Sequence, residues 1–442
     1  MGRLFGTDGI RGVANETLTP ELALEVGRTA ARILTPGGGT FVIGRDTRLS
    51  GPMLEGALVA GLCASGARVV RGGILPTAAI AYLVRALGAD AGVVLSASHN
   101  PIEDNGIKFF DREGFKLPDA MEERIEAALG TDGPRPTGRG VGRVQDLVDA
   151  EERYLRHLVA HALPARGLRI VVDCAFGAAY RVAPALWDFL GAEVIALHDE
   201  PDGERINVGC GSTHPEVLQE AVRAHRADLG FAHDGDADRM IAVDERGSVV
   251  DGDLTMVVCA RHLARLGMLD PPVVVATVMT NLGVERALRR EGIRMERTPV
   301  GDRYVLERML EIGAVLGGEQ SGHVIFRHLA TTGDGLLTAV QLLNAVLRSG
   351  RRLSDLVADV ERYPQVLLNV RVPDPRALLQ DHAVRAAVNA AARRLGSEGR
   401  ILVRPSGTEP LVRVMVEHED GALAQEVAQE IADLVRSRSE GC

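Results

Sequence analysis

The sequence predicts an α/β protein: three consecutive α/β domains with mixed, mostly parallel sheets, then a smaller C-terminal α+β domain. Three observations carry this. Short apolar runs rich in Val, Ile and Leu, such as 91–95 and 273–278, alternate with stretches of helical length as far as about residue 364. From about Gln365 the order changes to strand, helix, strand, strand, helix. At 442 residues, the chain also exceeds what one hydrophobic core serves, so three or four domains are expected.

Taken in order, residues 4–12 read as a glycine-punctuated loop ending on Arg11, whose flanking glycines let backbone approach a ligand closely. Thr19-Pro20-Glu21 supplies an N-cap and a Pro at the first helical position, opening a helix to about Leu34. A strand over 41–44 ends at Arg45-Asp46-Thr47-Arg48, followed by a helix over 52–65, a strand over 68–72 and a helix over 78–87. The run 91–95 is too short and too β-branched for a helix, and Pro101 closes it. Asp104-Asn105-Gly106 signals a turn, after which 107–110 resumes an extended pattern. The Gly- and Pro-rich stretch 131–142 reads as the first linker.

A helix over about 148–163 leads to strands at 168–173, 192–197, 228–231 and 240–243, with helices at 177–190 and 215–226. The third block has strands at 273–278, 293–297 and 314–317, and helices at 253–267, 282–291, 303–312, 335–348 and 353–361. The last has strands at 366–372, 400–403 and 411–417, and helices at 376–395 and 421–437. Domain boundaries follow at 1–147, 148–250, 251–364 and 365–442, the first three forming a weak internal repeat.

Composition narrows the function. Hydrophobic residues make up 46% and aromatic ones only 3%, so the interior is built of Val, Leu, Ile and Ala. With 50 basic and 60 acidic residues the formal charge is −10, which argues against nucleic acid or an anionic membrane as the partner. A phosphorylated small molecule is not excluded, because local Arg clusters coexist with an acidic whole. The five cysteines are scattered with no C-x-x-C pair, as expected of reduced thiols in a cytoplasmic protein. No apolar leader follows Met1, and no uninterrupted apolar stretch is long enough to span a bilayer. Lys108 and Lys116 are the only lysines among the 50 basic residues.

Four loops carry chemistry. Ser98 and His99 sit in Ser96-Ala97-Ser98-His99-Asn100-Pro101, displaying a hydroxyl at a strand end, where open α/β sheets place their ligands. Asp234-Gly235-Asp236-Ala237-Asp238-Arg239 puts three carboxylates at i, i+2 and i+4. A like-charge pair ~4 Å apart costs about 4 kcal/mol at an effective dielectric near 20. Oxygen-only ligands at this spacing suit Mg²⁺ or Ca²⁺ rather than zinc; an EF-hand register fails because Arg239 stands where Gly is required. Gly318-Glu319-Gln320-Ser321-Gly322-His323 offers partners for hydroxyl groups. In Arg404-Pro405-Ser406-Gly407-Thr408-Glu409-Pro410, the backbone N–H groups and hydroxyls of Ser406, Gly407 and Thr408 suit an anion, with Arg404 able to bind it bidentately. Arg413 lies on the strand face opposite Val412, Val414 and Val416, able to reach the same anion.

These four motifs, in this order and over essentially the whole chain, resemble the α-D-phosphohexomutase superfamily and, within it, the bacterial branch acting on glucosamine phosphates. Phe5-Gly6-Thr7-Asp8-Gly9-Ile10-Arg11-Gly12, Cys210-Gly211-Ser212-Thr213-His214-Pro215-Glu216 and Gln320 are similar to that branch. Ala237 and Val208 depart from the usual residues without removing a group the chemistry needs. The resemblance implies four domains around a central cleft. It implies a phosphoserine at Ser98 and one Mg²⁺ held by Asp234, Asp236, Asp238 and a phosphoserine oxygen. It implies interconversion of glucosamine 6-phosphate and glucosamine 1-phosphate through glucosamine 1,6-bisphosphate or a similar bisphosphate, by a monomer or homodimer. Catalytic roles fall to Ser98, Lys108, His323, Arg11, His99 and Arg239. Substrate contacts fall to Gly301, Asp302, Glu319, Ser321, Arg404, Ser406, Gly407, Thr408 and Arg413. Lys108 and Arg239 are expected to take up charge on the phosphoryl oxygens, and His99 to support the serine loop. His323 and Lys108 remain the two candidates for general base, Lys108 only if cationic neighbours depress its pKa.

Overall fold

In the computed structural model, the described residues are 4–6, 8–405 and 410–440, and they form four sheets. The chain divides into two compact units, residues 1–277 with 296–357, and residues 278–295 with 358–442.

The first sheet contains β1 (Phe5–Gly6), β2 (Gly9–Val13), β3 (Thr40–Arg45), β4 (Arg68–Ile74), β5 (Ala91–Leu95), β6 (Asp104–Phe110) and β7 (Val144–Asp146), in the order β1-β2-β6-β5-β3-β4-β7. Pairs β5–β3, β3–β4 and β4–β7 are parallel; β5–β6, β6–β2 and β2–β1 are antiparallel. β5 lies between β6 and β3 and is buried along its whole length, which is why it reads as an unbroken apolar run. The helix Pro20–Leu34 begins as expected, with Thr19 Oγ1 accepting the Leu22 N–H at 3.2 Å and Pro20 at its first position.

Two local expectations are corrected here. Residues 4–12 are not a loop but carry the β1–β2 hairpin, fastened to the sheet through β6. Asp104-Asn105-Gly106 is not a turn but the start of β6: Asn105 Nδ2 donates to Ser50 Oγ at 2.9 Å, and a side chain at 106 would meet the Ser96 carbonyl at 2.5 Å. Just beyond the stretch expected as linker, 144–146 form the edge strand β7, which the sequence pattern does not announce.

The second sheet has β8 (Arg169–Asp173), β9 (Glu193–Leu197), β10 (Leu229–His233), β11 (Met240–Asp244) and β12 (Val249–Val250), in the order β12-β11-β10-β8-β9. The third has β13 (Val273–Thr277), β14 (Arg294–Thr298), β15 (Leu316–Gly318) and β16 (Val324–Phe326), in the order β14-β13-β15-β16. The helix Gly335–Ser349 is capped by Asp334, which accepts the Leu337 N–H at 2.9 Å. Tyr154, on the helix Ala150–Ala160, donates to the same carboxylate at 2.8 Å.

In the second unit, β17 (Gln365–Arg371), β18 (Gly399–Pro405) and β19 (Leu411–His418) form an antiparallel sheet with β19 in the middle. The helix expected over 376–395 is two helices, Pro375–Leu378 and His382–Leu395, because Asp381 caps the second by accepting the Ala383 and Val384 N–H groups. Among the described residues, no helix is long and apolar enough to cross a membrane.

Candidate active site

The serine loop leaves β5 and is held from below by a buried ion pair. Arg48, fully buried, pairs through Nε with Asp46 Oδ2 at 3.0 Å and donates to the carbonyls of Ser98 and Asn100 at 2.9 and 2.8 Å. Asp46 accepts from Ser96 Oγ at 2.6 Å, and Ser96 Oγ accepts the Ser98 N–H at 2.9 Å. Ser98 itself is buried and left-handed, at φ 53°. Its hydroxyl donates to Asp234 Oδ2 and lies 3.3 Å from His99 Nδ1. Burial, then the charges of Arg239 and Arg11, pull the His99 pKa down to about 4, so this imidazole is neutral at pH 7.

Asp234 follows β10 and begins the acidic loop. Ligand atoms of Asp234, Asp236 and Asp238 lie within 4.8 Å of one another, and all three residues are buried. Gly235 is where the two loops touch: a Cβ there would stand 2.7 Å from the Ser98 carbonyl oxygen. Thr77, opening the helix Thr77–Leu87, donates its N–H to the Asp236 carbonyl at 2.9 Å and its hydroxyl to Asp236 Oδ2 at 2.7 Å. Burial and repulsion from Asp238 and Asp236 push the Asp234 carboxyl well above its ordinary pKa. Asp236 Oδ1 and Asp238 Oδ1 are buried without a hydrogen-bond partner. An all-oxygen set with two such orphaned atoms fits a hard divalent cation, which would relieve both the repulsion and the missing bonds.

Lys108, on β6 and 1% exposed, reaches this loop with Nζ 2.9 Å from Asp236 Oδ2, 3.0 Å from Asp8 Oδ2 and 3.6 Å from Asp238 Oδ2. Burial alone would lower its pKa, but Asp236, Asp8 and Asp238 prevail and hold the ammonium well above its ordinary value. With these carboxylates ionised around it Lys108 is held as a cation, so the condition for its role as general base, a pKa depressed by cationic neighbours, is not met by this arrangement. Asp236 shows the converse: burial raises it, yet Lys108 and the bonds from Lys108 and Thr77 bring it well below the usual carboxylate range. Asp8 is the hub behind them, bonded also to Lys116 and to Arg11, whose Nη1 donates to Asn100 Oδ1 at 3.0 Å.

The third domain's groups arrive on the same unit. Lys116 continues from Asp8 to Asp302, the first residue of the helix Asp302–Ile312. His323 Nε2 lies 3.5 Å from Asp302 Oδ2 and 4.0 Å from Asp238 Oδ2, and neither ring nitrogen makes a hydrogen bond. Glu319 Oε1 accepts the Gly301 N–H at 3.1 Å. Arg239 Nε lies 3.9 Å from Asp238 Oδ1, and its N–H donates to Asp234 Oδ1 at 3.2 Å. The loop of Glu319 and Ser321 is stitched to the acidic loop's exit, where the Met240 N–H donates to the Gly322 carbonyl at 3.1 Å.

In the second unit, Arg404 on β18 directly opposes Arg413 on β19. Burial, then Arg413, lowers the Arg404 pKa. Facing like charges cost stability unless an anion joins them. Ser406, Gly407 and Thr408 lie outside the described residues.

Sequence reasoning missed Asp8, Asp46, Arg48, Thr77 and Lys116 as members of this constellation. The scarcity of lysine marked Lys116, and Arg45-Asp46-Thr47-Arg48 stood at a strand end. Neither could be placed without the long-range pairing that brings them in.

A serine hydroxyl bonded to a buried aspartate trio, ringed by fixed cations, defines a phosphoryl-transfer enzyme on a multidomain α/β fold. The chain belongs to the phosphoglucomutase/phosphomannomutase family: its models match as alpha/beta/alpha domain I at residues 2–135, domain II at 152–247, domain III at 251–363 and the C-terminal domain at 367–434. It is 58% identical over 441 residues to the phosphoglucosamine mutase of Desulforudis audaxviator, covering 98% of each chain. It is 55% identical over 444 residues to that of Symbiobacterium thermophilum, covering 99% of each. Among solved structures, a phosphoglucomutase/phosphomannomutase family protein from Burkholderia thailandensis superposes with a TM-score of 0.83 at 26% identity, covering 99% of this chain and 98% of that one.

Proposed function

We propose that this phosphohexomutase interconverts glucosamine 6-phosphate and glucosamine 1-phosphate, with Ser98 as the phosphoryl carrier. The observation that carries the reading is the bond from the Ser98 hydroxyl to Asp234, inside the carboxylate cluster. Near-full-length identity to phosphoglucosamine mutases supports the amino sugar as substrate.

A phosphorylated Ser98 adds roughly −2 to three carboxylates, a concentration of charge the loops cannot hold without a divalent cation. Asp234, Asp236 and Asp238 would hold Mg²⁺, which supplies charge neutralisation to the transferring group when bound. The chain's own groups do the rest. The phosphoryl group leaves Ser98 Oγ for the sugar's 1-hydroxyl, giving the bisphosphate; after that intermediate turns over, the 6-phosphate returns to Ser98 Oγ. Lys108, held cationic by Asp236, Asp8 and Asp238, and Arg239 neutralise charge on the equatorial oxygens. Arg11, anchored on Asp8 and Asn100, steadies the serine loop, and neutral His99 braces the hydroxyl. Of the two candidate bases, His323 takes the 1-hydroxyl proton, its Nε2 standing 3.5 Å from Asp302 Oδ2, and returns it to the sugar's 6-oxygen in the second half of the cycle. Gly301, Glu319 and Ser321 read sugar hydroxyls, and Arg404 with Arg413 and the 406–408 segment binds the non-reacting phosphate.

The test is turnover of glucosamine 6-phosphate with Mg²⁺ and a bisphosphate primer, compared with glucose and mannose phosphates. The reading expects the highest kcat/KM for the amino sugar; a higher value for either competitor would reassign the substrate.

A further inference from the structure

Two side chains outside the mechanism above meet on one oxygen. The Ser98 carbonyl accepts from Arg48 Nη2 and from Asn207 Nδ2, both at 2.9 Å. Arg48 comes from the serine's own domain, Asn207 from the block carrying the aspartates. With the Ser98 N–H on Ser96 Oγ, both polar groups of this peptide position are pinned.

The pinned residue is one that would not stay put unaided. A non-glycine residue in a sparsely populated backbone region costs of order 1–3 kcal/mol and persists only where its surroundings over-determine it. Ser98 at φ 53° is such a residue, and Ala237 in the acidic loop, at φ 54°, is another. Asn207 is itself left-handed, at φ 62°, with its N–H on the Ala175 carbonyl at 3.1 Å. Its loop is tied down by the Gly211 N–H on Asp173 Oδ2 at 2.9 Å, at the end of β8. Asn207 is thus the tip of a strut running from the second sheet to the serine peptide. Beside it, Gly235 leaves no room for a Cβ against either the Ser98 carbonyl or Asn207 Nδ2.

We infer that Arg48 and Asn207 are positioning residues, clamping the Ser98 peptide from two domains so that its oxygen meets the acidic loop in the same pose in both halves of the cycle. The inference rests on the reading of Ser98 as phosphoryl carrier. Phosphoryl transfer depends chiefly on placement, and Ser98 must first give and later receive at the same spot. A loop relaxed to ordinary dihedrals would carry the oxygen away from Asp234, while sugar contacts would be untouched. The loss therefore falls on kcat rather than KM.

Asn207→Gly keeps the left-handed backbone and removes the donor; Asn207→Asp keeps shape and backbone tolerance but faces the carbonyl with an acceptor. Arg48→Lys retains a cation for Asp46 but not the forked donors. Under steady-state assay with Mg²⁺ and primer, both Asn207 variants are expected to lose roughly 10- to 100-fold in kcat, with KM within about twofold. Arg48→Lys should show the same split; the Asn207 variants decide should it not fold. Wild-type kcat in Asn207→Asp would mean that only backbone shape matters at 207, and would overturn the inference. So would a loss confined to KM. Ser98→Ala in the same assay separates the two levels: activity there would end the carrier reading itself, whereas an inactive Ser98→Ala beside fully active Asn207 variants would end only the clamp.

Discussion

The Ser98 hydroxyl donates to Asp234 Oδ2 across 136 positions of sequence, joining the end of β5 in one sheet to the end of β10 in another. Both strands deliver their loops at carboxyl ends, so the bond follows from how two α/β blocks face each other within the first unit. Catalytic chemistry placed on that bond makes definite demands on its neighbours.

Magnesium dependence is the first. Chelation should abolish turnover, and added Mg²⁺ should restore it while raising the melting temperature of the wild-type protein by several degrees. Asp238→Asn, which alters one of the carboxylates with an orphaned oxygen, should lose both responses. Equal thermal stabilisation of the variant by Mg²⁺ would move the ion elsewhere.

Lys108 makes a prediction in pH. Its folded pKa lies above the ordinary lysine value of 10.5, so its contribution to stability is complete below that value and is lost only as pH rises through the higher folded one. The pH–rate profile should therefore show no lysine ionisation between about pH 6 and 10. Lys108→Met, by leaving Asp236 buried without its cation while Asp8 keeps Lys116 and Arg11, should cost about 3–5 kcal/mol of stability and depress kcat. An alkaline limb that disappears in Lys108→Arg would restore the lysine as base.

Gly235→Ala should force the acidic and serine loops apart, because the added methyl would stand 2.7 Å from the Ser98 carbonyl oxygen. An overpacking penalty of about 1–3 kcal/mol is expected, with a fall in kcat of up to roughly 10²-fold. A fully active, equally stable variant would show that close approach is not required.

Arg404→Ala tests the second unit. Charge-assisted bonds are worth about 1.5–3 kcal/mol, so KM for the sugar phosphate should rise by roughly one to two orders of magnitude, with a smaller effect on kcat. An unchanged KM would remove Arg404 from the substrate.

Much of this was legible in the chain. β5 announced itself because a strand buried on both faces has no polar alternation to disguise it, and Thr19-Pro20 fixed the first helix by local capping alone. The hairpin β1–β2 reads as loop in the sequence because glycines punctuate it; its strand character comes from pairing with β6, about a hundred residues away. β16 is three residues long and escaped for the same reason, being defined by β15 rather than by itself. Site legibility split likewise. Ser98 and the aspartates stand in compact motifs, whereas Asp8 and Lys116 join Asp302, itself expected from the sequence, in a relay of charges whose members lie far apart in sequence. Arg48 is the sharpest case: nothing in its neighbourhood distinguishes a buried organiser of four backbone carbonyls, those of Ser98, Asn100, Pro101 and Asp104, from an ordinary surface arginine.

The covalent role of Ser98 is tested most directly by intact-protein mass and peptide mapping before and after a single turnover. Wild-type protein should carry one phosphoryl group, mapped to Ser98 and passed to glucosamine 6-phosphate, and Ser98→Ala should carry none and turn over at least about 10³-fold more slowly while folding normally. A Ser98→Ala protein with wild-type turnover, or a phosphoryl group that maps elsewhere and still transfers, would contradict it.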